Sequence, residues 1–153
     1  MRKSLLLFAV FGLASLVWAA DDPFIGTWKL NVAESKLPFS LPKSQVTKIE
    51  IQSDGFIKST NDIVEPDGAI RHTEWVGKRD GKDYPLKGGP TGYTISVTLT
   101  DTNSTEQISR INGQEVARFQ VIVSDDGKTM TAKGKWKDAE GKEITGVTVS
   151  DKQ

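Results

Sequence analysis

The sequence contains no cysteine. This absence excludes disulfide bonds, a thiol nucleophile and the lipid-modified cysteine of bacterial lipoproteins. An exported domain without disulfides must be held together by its own hydrophobic core. With the first 20 residues set aside, 133 residues remain, which is enough for one ordinary domain core.

Histidine is nearly absent as well, because His72 is the only one. A Ser–His–acid triad would have to be built on this residue, and the sequence has no Gly-x-Ser-x-Gly elbow. A zinc site would need several His or Cys ligands. The paired acids at Asp80/Asp83 and Asp125/Asp126 flank turns, where Asp commonly supplies turn hydrogen bonds. We therefore predict no catalytic residue, no metal site and no cofactor.

An excess of positive charge is also missing. The chain has 20 basic and 20 acidic residues, and removal of Arg2 and Lys3 with the first segment leaves 18 against 20, a net charge of −2. The two signs are interspersed, so no basic patch marks a partner. The composition predicts neither nucleic-acid binding nor attraction to an anionic membrane.

The amino terminus has the layout of a secretory signal. Met1-Arg2-Lys3 is positively charged, an apolar run follows from Leu5 to Val17, and the small residues Ala19 and Ala20 come next. The apolar run is shorter than the roughly 20 residues of a membrane span. We predict that residues 1–20 form a cleaved signal peptide, that residues 21–153 form one domain without stable membrane insertion, and that the protein is periplasmic or secreted.

Turn signals recur with a regular spacing in the remaining chain. Gly55, Gly68 and Gly81 lie 13 residues apart, and Gly113, Gly127 and Gly141 lie 14 residues apart. Each interval accommodates one strand and one hairpin turn, which is typical of an antiparallel meander. Apolar and polar residues alternate between the turns, and no window shows a helical stripe. The pattern predicts about ten strands, from 24–31 to 143–150.

An up-and-down meander of this length removes its exposed edges by closing into a barrel. We therefore predict an all-β fold, a single antiparallel up-and-down barrel, with a two-sheet sandwich as the alternative. The long connection from Asn31 to Ser44 contains Pro38 and Pro42, which disfavour a helix. This segment is predicted to be a lid over one end of the barrel or a solvated crossing loop.

The first predicted strand reads Phe24-Ile25-Gly26-Thr27-Trp28. A Gly-x-Trp at this place resembles the opening of lipocalins and fatty-acid-binding proteins. The resemblance implies that Trp28 plugs one end of the barrel and that Gly26 permits close approach of the crossing chain. The remaining chain is similar to small secreted bacterial lipocalin-like (calycin-type) proteins at 80–85, 126–131 and 147–153.

Two departures from fatty-acid-binding proteins limit what the resemblance implies. Their helix-turn-helix after the first strand is replaced here by the proline-containing segment. Their Arg-x-Tyr in the last strand, which grips a carboxylate, is replaced by Thr148-Val149-Ser150. The resemblance therefore does not carry fatty-acid binding over to these residues.

These observations favour an exported, non-catalytic protein that binds a small apolar ligand inside the barrel. A structural or protein-interaction module with a filled core is the alternative, and an enzyme of unassigned type ranks third. The predicted wall comes from the apolar strand faces, and polar groups on mixed strands would orient the ligand. The apolar candidates are Ile49, Ile51, Tyr93, Ile95, Val97, Leu99, Phe119 and Val121; the polar or aromatic ones are Arg71, Trp75, Tyr84 and Arg110.

Overall fold

The computed structural model describes residues 21–153. Ten strands make up most of this part of the chain, and one short 3-10 turn, Ser53–Gly55, lies between the second and third. The predicted signal peptide lies outside the described residues. The strands are β1 (Gly26–Leu30), β2 (Ser44–Ile51), β3 (Ile57–Val64), β4 (Ile70–Gly77), β5 (Asp80–Lys87), β6 (Tyr93–Asp101), β7 (Ser104–Ile111), β8 (Gln114–Val123), β9 (Thr129–Lys137) and β10 (Glu143–Lys152).

The ten strands form a closed antiparallel barrel in which each strand pairs with its neighbours in sequence. Closure is made by β1, where Trp28 lies opposite Thr47 of β2 on one side and opposite Lys152 of β10 on the other. The prediction of a single up-and-down barrel is confirmed, and the two-sheet alternative is wrong. Closure satisfies the backbone groups that an open sheet would leave unpaired at its edges.

The pairing between β4 and β5 is the shortest in the barrel. These strands pair at Glu74 with Lys87 and at Trp75 with Leu86, whereas β3 and β4 pair over eight positions. Pro85 lies in β5 and has no N–H to donate, which suits a strand whose pairing is incomplete. The barrel wall therefore has its thinnest ladder next to Trp75.

One end of the barrel is closed by Trp28. Its side chain is fully buried, with 0% exposure, in a cluster with Phe24, Val121 and Val123. The indole Nε1 donates a hydrogen bond to the Phe24 carbonyl oxygen at 2.9 Å, and the Lys152 ammonium lies 5.2 Å from the ring centroid. Gly26 has a φ of +139°, and a Cβ there would collide with the Lys152 side chain. Glycine is thus required where the chain enters the closed end.

The segment between β1 and β2, residues 31–43, crosses the opposite end of the barrel, and we call it the crossing loop. Its backbone continues along β10, where Lys36 and Val147 exchange two hydrogen bonds of 2.7 Å. Farther on, the Phe39 ring meets Trp136 edge-on at 5.4 Å between centroids. The loop contains no helix, as the prolines predict. In residues 21–153 no helix has the length and apolarity of a membrane span.

Candidate ligand-binding cavity

The barrel encloses a cavity of about 260 Å³. This volume equals that of about nine water molecules at roughly 30 Å³ each. It lies just below the usual range of small-molecule sites, about 300–1,000 Å³. The interior is therefore hollow, and its size suits a small guest.

Most of the cavity wall is apolar. On one side lie Ile49, Ile57, Trp75, Leu86, Ile95 and Val97, and on the other Phe119, Val121, Met130 and Ala132. These side chains face inward because alternate residues of a strand point to the same face. The Trp75 side chain is buried, and its Nε1 donates a hydrogen bond to the Ile95 carbonyl oxygen at 3.1 Å. Trp75 thus presents an apolar ring while its polar N–H is satisfied.

A hydrogen-bonded group of neutral side chains interrupts the apolar wall, and we call it the polar row. Thr47, Asn61 and Thr73 lie directly opposite one another on β2, β3 and β4. The Thr47 hydroxyl donates to Asn61 Oδ1 at 2.6 Å, and Asn61 Nδ2 donates to the Thr73 hydroxyl at 3.3 Å. Gln45, one step toward the crossing loop, donates to Asn61 Oδ1 at 3.2 Å. Gln45, Thr47 and Asn61 line the cavity.

Arg79 is the charged side chain among the cavity-lining residues that the structure describes. Both of its terminal nitrogens bond to the Asp22 carboxylate, at 2.5 and 3.3 Å. Its guanidinium also lies 4.7 Å from the centroid of the Phe24 ring. The pair ties the start of the domain to the β4–β5 connection, and the positive charge is compensated within the protein.

Thr105 and Gln107 add polar groups on β7. Both residues line the cavity. The Thr105 side chain is 1% exposed, and among residues 21–153 its hydroxyl oxygen has no hydrogen-bond partner. A buried hydroxyl without a partner costs about 1–3 kcal/mol, so this group calls for an explanation.

Solved structures of small-molecule-binding size share this architecture. The fluorescent protein UnaG superposes with a TM-score of 0.59 at 12% identity, covering 85% of this chain and 97% of its own. Zebrafish ileal bile acid-binding protein, complexed with cholic acid, gives a TM-score of 0.56 at 15% identity over 86% of this chain and 99% of its own. The fold is that of the calycin barrels. No family model matches the sequence, and no curated protein is significantly similar to it in sequence.

The calycin barrel brings together half of the residues that the sequence singled out as ligand-binding. Trp75, Ile95, Val97, Phe119 and Val121 all line the cavity. Ile49, named with the apolar faces, lines it too.

Tyr84 packs behind Trp75 and does not reach the cavity. The two rings meet edge-on at 6.0 Å between centroids, and the Tyr84 hydroxyl donates to Asp80 Oδ2 at 2.9 Å. Partial burial raises the pKa of the Tyr84 hydroxyl above its ordinary value, and the hydrogen bond to the Asp80 carboxylate acts in the same direction. Tyr84 therefore supports Trp75 from outside the cavity lining.

The two arginines proposed to orient a ligand lie elsewhere. Arg71 is exposed near the crossing-loop end, where its guanidinium bonds to Glu65 Oε1 at 2.7 Å. Arg110 bonds to Asp83 at 2.6 Å and to the Ser96 hydroxyl at 3.1 Å. Its neighbour Ser109 is buried on the inward face of β7, so Arg110 points outward. The prediction that these arginines contact an interior ligand is wrong.

Three apolar residues predicted to line the interior also lie outside the cavity lining. Leu99 and Ile51 are 47% and 62% exposed, because both strands run past the plug formed by Trp28 before they turn. Tyr93 is half-buried at the first position of β6, at the crossing-loop end. Each shares a face with true wall residues, but each sits too near a rim of the barrel.

Sequence reasoning missed the polar row, Arg79 and Thr105. Gln45 and Thr47 share a strand face with Ile49, and Asn61 shares one with Ile57 and Ile63. Extending the two-residue period from these apolar anchors would have placed the polar side chains inside. Their polarity hid them, because the interior was sought among apolar residues.

Proposed function

We propose that this protein is a non-catalytic binding protein that holds a small, largely apolar ligand inside its barrel. The observation that carries the proposal is the cavity of about 260 Å³, walled mainly by apolar side chains within a closed barrel. Transfer of apolar ligand surface from water into such a wall contributes about 25 cal/mol per Å². The side chains already converge on the space, so little ordering is needed on binding.

Structural similarity supports the same function. The zebrafish ileal bile acid-binding protein carries cholic acid in a barrel that this chain matches over 86% of its length. The non-catalytic part of the proposal is supported by the position of His72. Its side chain is 58% exposed, and its Nδ1 lies 2.7 Å from Asp62 Oδ1 at the surface. The residue expected of an acid–base catalyst is thus not directed at the cavity.

A dye titration tests ligand binding. We expect the uncharged dye N-phenyl-1-naphthylamine to bind the folded protein at one site, with enhanced dye emission and altered tryptophan emission. Trp75 would report the event because its ring lines the cavity. Fluorescence titration with a Job plot gives affinity and stoichiometry. A folded protein that binds no dye would instead support the interaction module.

We propose further that the protein is exported, on the basis of its first 20 residues. Cleavage after Ala19 or Ala20 would leave a mature chain beginning at Ala20 or Asp21. Asp22 then lies close to the new terminus, where it bonds to Arg79. Intact-mass measurement on protein recovered from outside the cytoplasm should show one of these two termini. A mass that retains Met1 to Val17 would contradict export by a cleaved signal.

A further inference from the structure

The cavity presents neutral hydrogen-bonding groups on two parts of its wall and compensates its one described charge internally. We propose that it selects an uncharged ligand with an apolar body and a carbonyl or similar neutral oxygen, and that it discriminates against carboxylates. This inference rests on the proposed binding function. It follows from the polar row, from Thr105 and from the Asp22–Arg79 pair.

The polar row leaves a donor available to the ligand. An Asn side chain offers two acceptor positions on its oxygen and two N–H donors. Asn61 Oδ1 already accepts from Thr47 and from Gln45, and one N–H of Nδ2 is used on Thr73. The second N–H remains for a ligand in the cavity that Asn61 lines. Because the oxygen is occupied on both sides, the amide is held with its nitrogen as the free end.

Thr105 provides an independent sign that a polar ligand atom belongs here. Its hydroxyl is buried, lines the cavity through its side chain and has no partner among the described residues. Buried polar groups in folded proteins almost always have a partner. A hydrogen bond from a bound ligand would satisfy this hydroxyl and offset the cost of burying it. Neighbouring Gln107 also lines the cavity and adds a neutral amide on the same strand.

The electrostatics of the wall disfavour a carboxylate. Arg79 could attract an anion, but both of its terminal nitrogens are engaged by Asp22. An incoming carboxylate would have to displace Asp22 or be buried without a counter-charge, and an unpaired buried charge is strongly unfavourable. A neutral oxygen at Asn61 or Thr105 carries no such cost.

A matched ligand pair tests the inference on the wild-type protein. Decanamide and decanoate share one chain and differ in charge at pH 8, where the acid is ionised. We expect decanamide to displace N-phenyl-1-naphthylamine with a Kd at least about tenfold lower, equivalent to about 1.4 kcal/mol. Decanoate binding as tightly as decanamide, or more tightly, would overturn the inference while leaving the binding function intact. Failure of the dye itself to bind would instead overturn the proposed function.

Two variants assign the selectivity to the named residues. Asn61→Leu should weaken decanamide about tenfold and leave the dye Kd unchanged, since the dye has no carbonyl oxygen. Gln120→Leu, which removes an amide from the exposed outer face of β8, is the matched control and should alter neither. An equal loss of both ligands in Asn61→Leu would show a merely structural role.

The second variant, Thr105→Val, keeps the side-chain shape and removes the unpartnered hydroxyl. We expect the ligand-free protein to melt at a higher temperature and decanamide to bind more weakly, because the deleted group is costly when empty and useful when occupied. This variant remains informative if Asn61→Leu does not fold. Unchanged decanamide affinity in Thr105→Val would remove Thr105 from the proposed site, and unchanged selectivity in both variants would overturn the assignment.

Discussion

Trp28→Ala should lower the free energy of unfolding by about 3–5 kcal/mol, the usual cost of truncating a buried aromatic side chain. Trp28 is 0% exposed and packs against Phe24, Val121 and Val123. Its loss leaves a void at the closed end and removes the hydrogen bond to the Phe24 carbonyl oxygen. For a domain of this size such a loss is a large share of a total stability of about 5–15 kcal/mol.

Urea denaturation followed by circular dichroism measures this effect. Lys133→Ala is the control, because Lys133 is exposed on the outer face of β9, and surface substitutions usually change stability by less than about 0.5 kcal/mol. Equal midpoints for the two variants would show that Trp28 does not carry the closed end of the barrel.

Ala132→Trp should abolish ligand binding by filling the cavity. Ala132 lines the cavity opposite Val121 of β8 and Thr148 of β10. An indole at this position would occupy much of the 260 Å³. We expect the Kd for N-phenyl-1-naphthylamine to rise by about 100-fold or more, equivalent to about 2.8 kcal/mol. Overpacking typically costs about 1–3 kcal/mol of stability, so the thermal midpoint should be measured alongside binding.

Leu99→Trp is the matched control for this substitution. It introduces the same side chain at a position that is 47% exposed and outside the cavity. We expect its dye affinity to equal that of the wild type. If Ala132→Trp folds and still binds the dye normally, the dye site lies on the outer surface and the interior cavity is not the binding site.

Local signals in the sequence were enough to predict the architecture. The glycines at Gly55, Gly68 and Gly81 each adopt a positive φ in the structure, which is why their spacing marks the hairpins. Strict alternation on β6 and β8 placed Ile95, Val97, Phe119 and Val121 on the inner face. These properties depend on a few neighbouring residues, so they are visible without knowledge of the rest of the chain.

The sequence alone therefore determined the strand count, the up-and-down connectivity and the inward face of the clearest strands. Tertiary structure decided which inward-facing residues reach the cavity, because alternation gives a face but not a height along the barrel axis. Leu99 and Val97 share a face, yet only Val97 lies within the cavity wall. The pairing of Asp22 with Arg79 and the hydrogen-bonded row through Asn61 join residues far apart in sequence. Such contacts, like the volume of the cavity, exist only once the barrel has closed and set the distance between opposite walls.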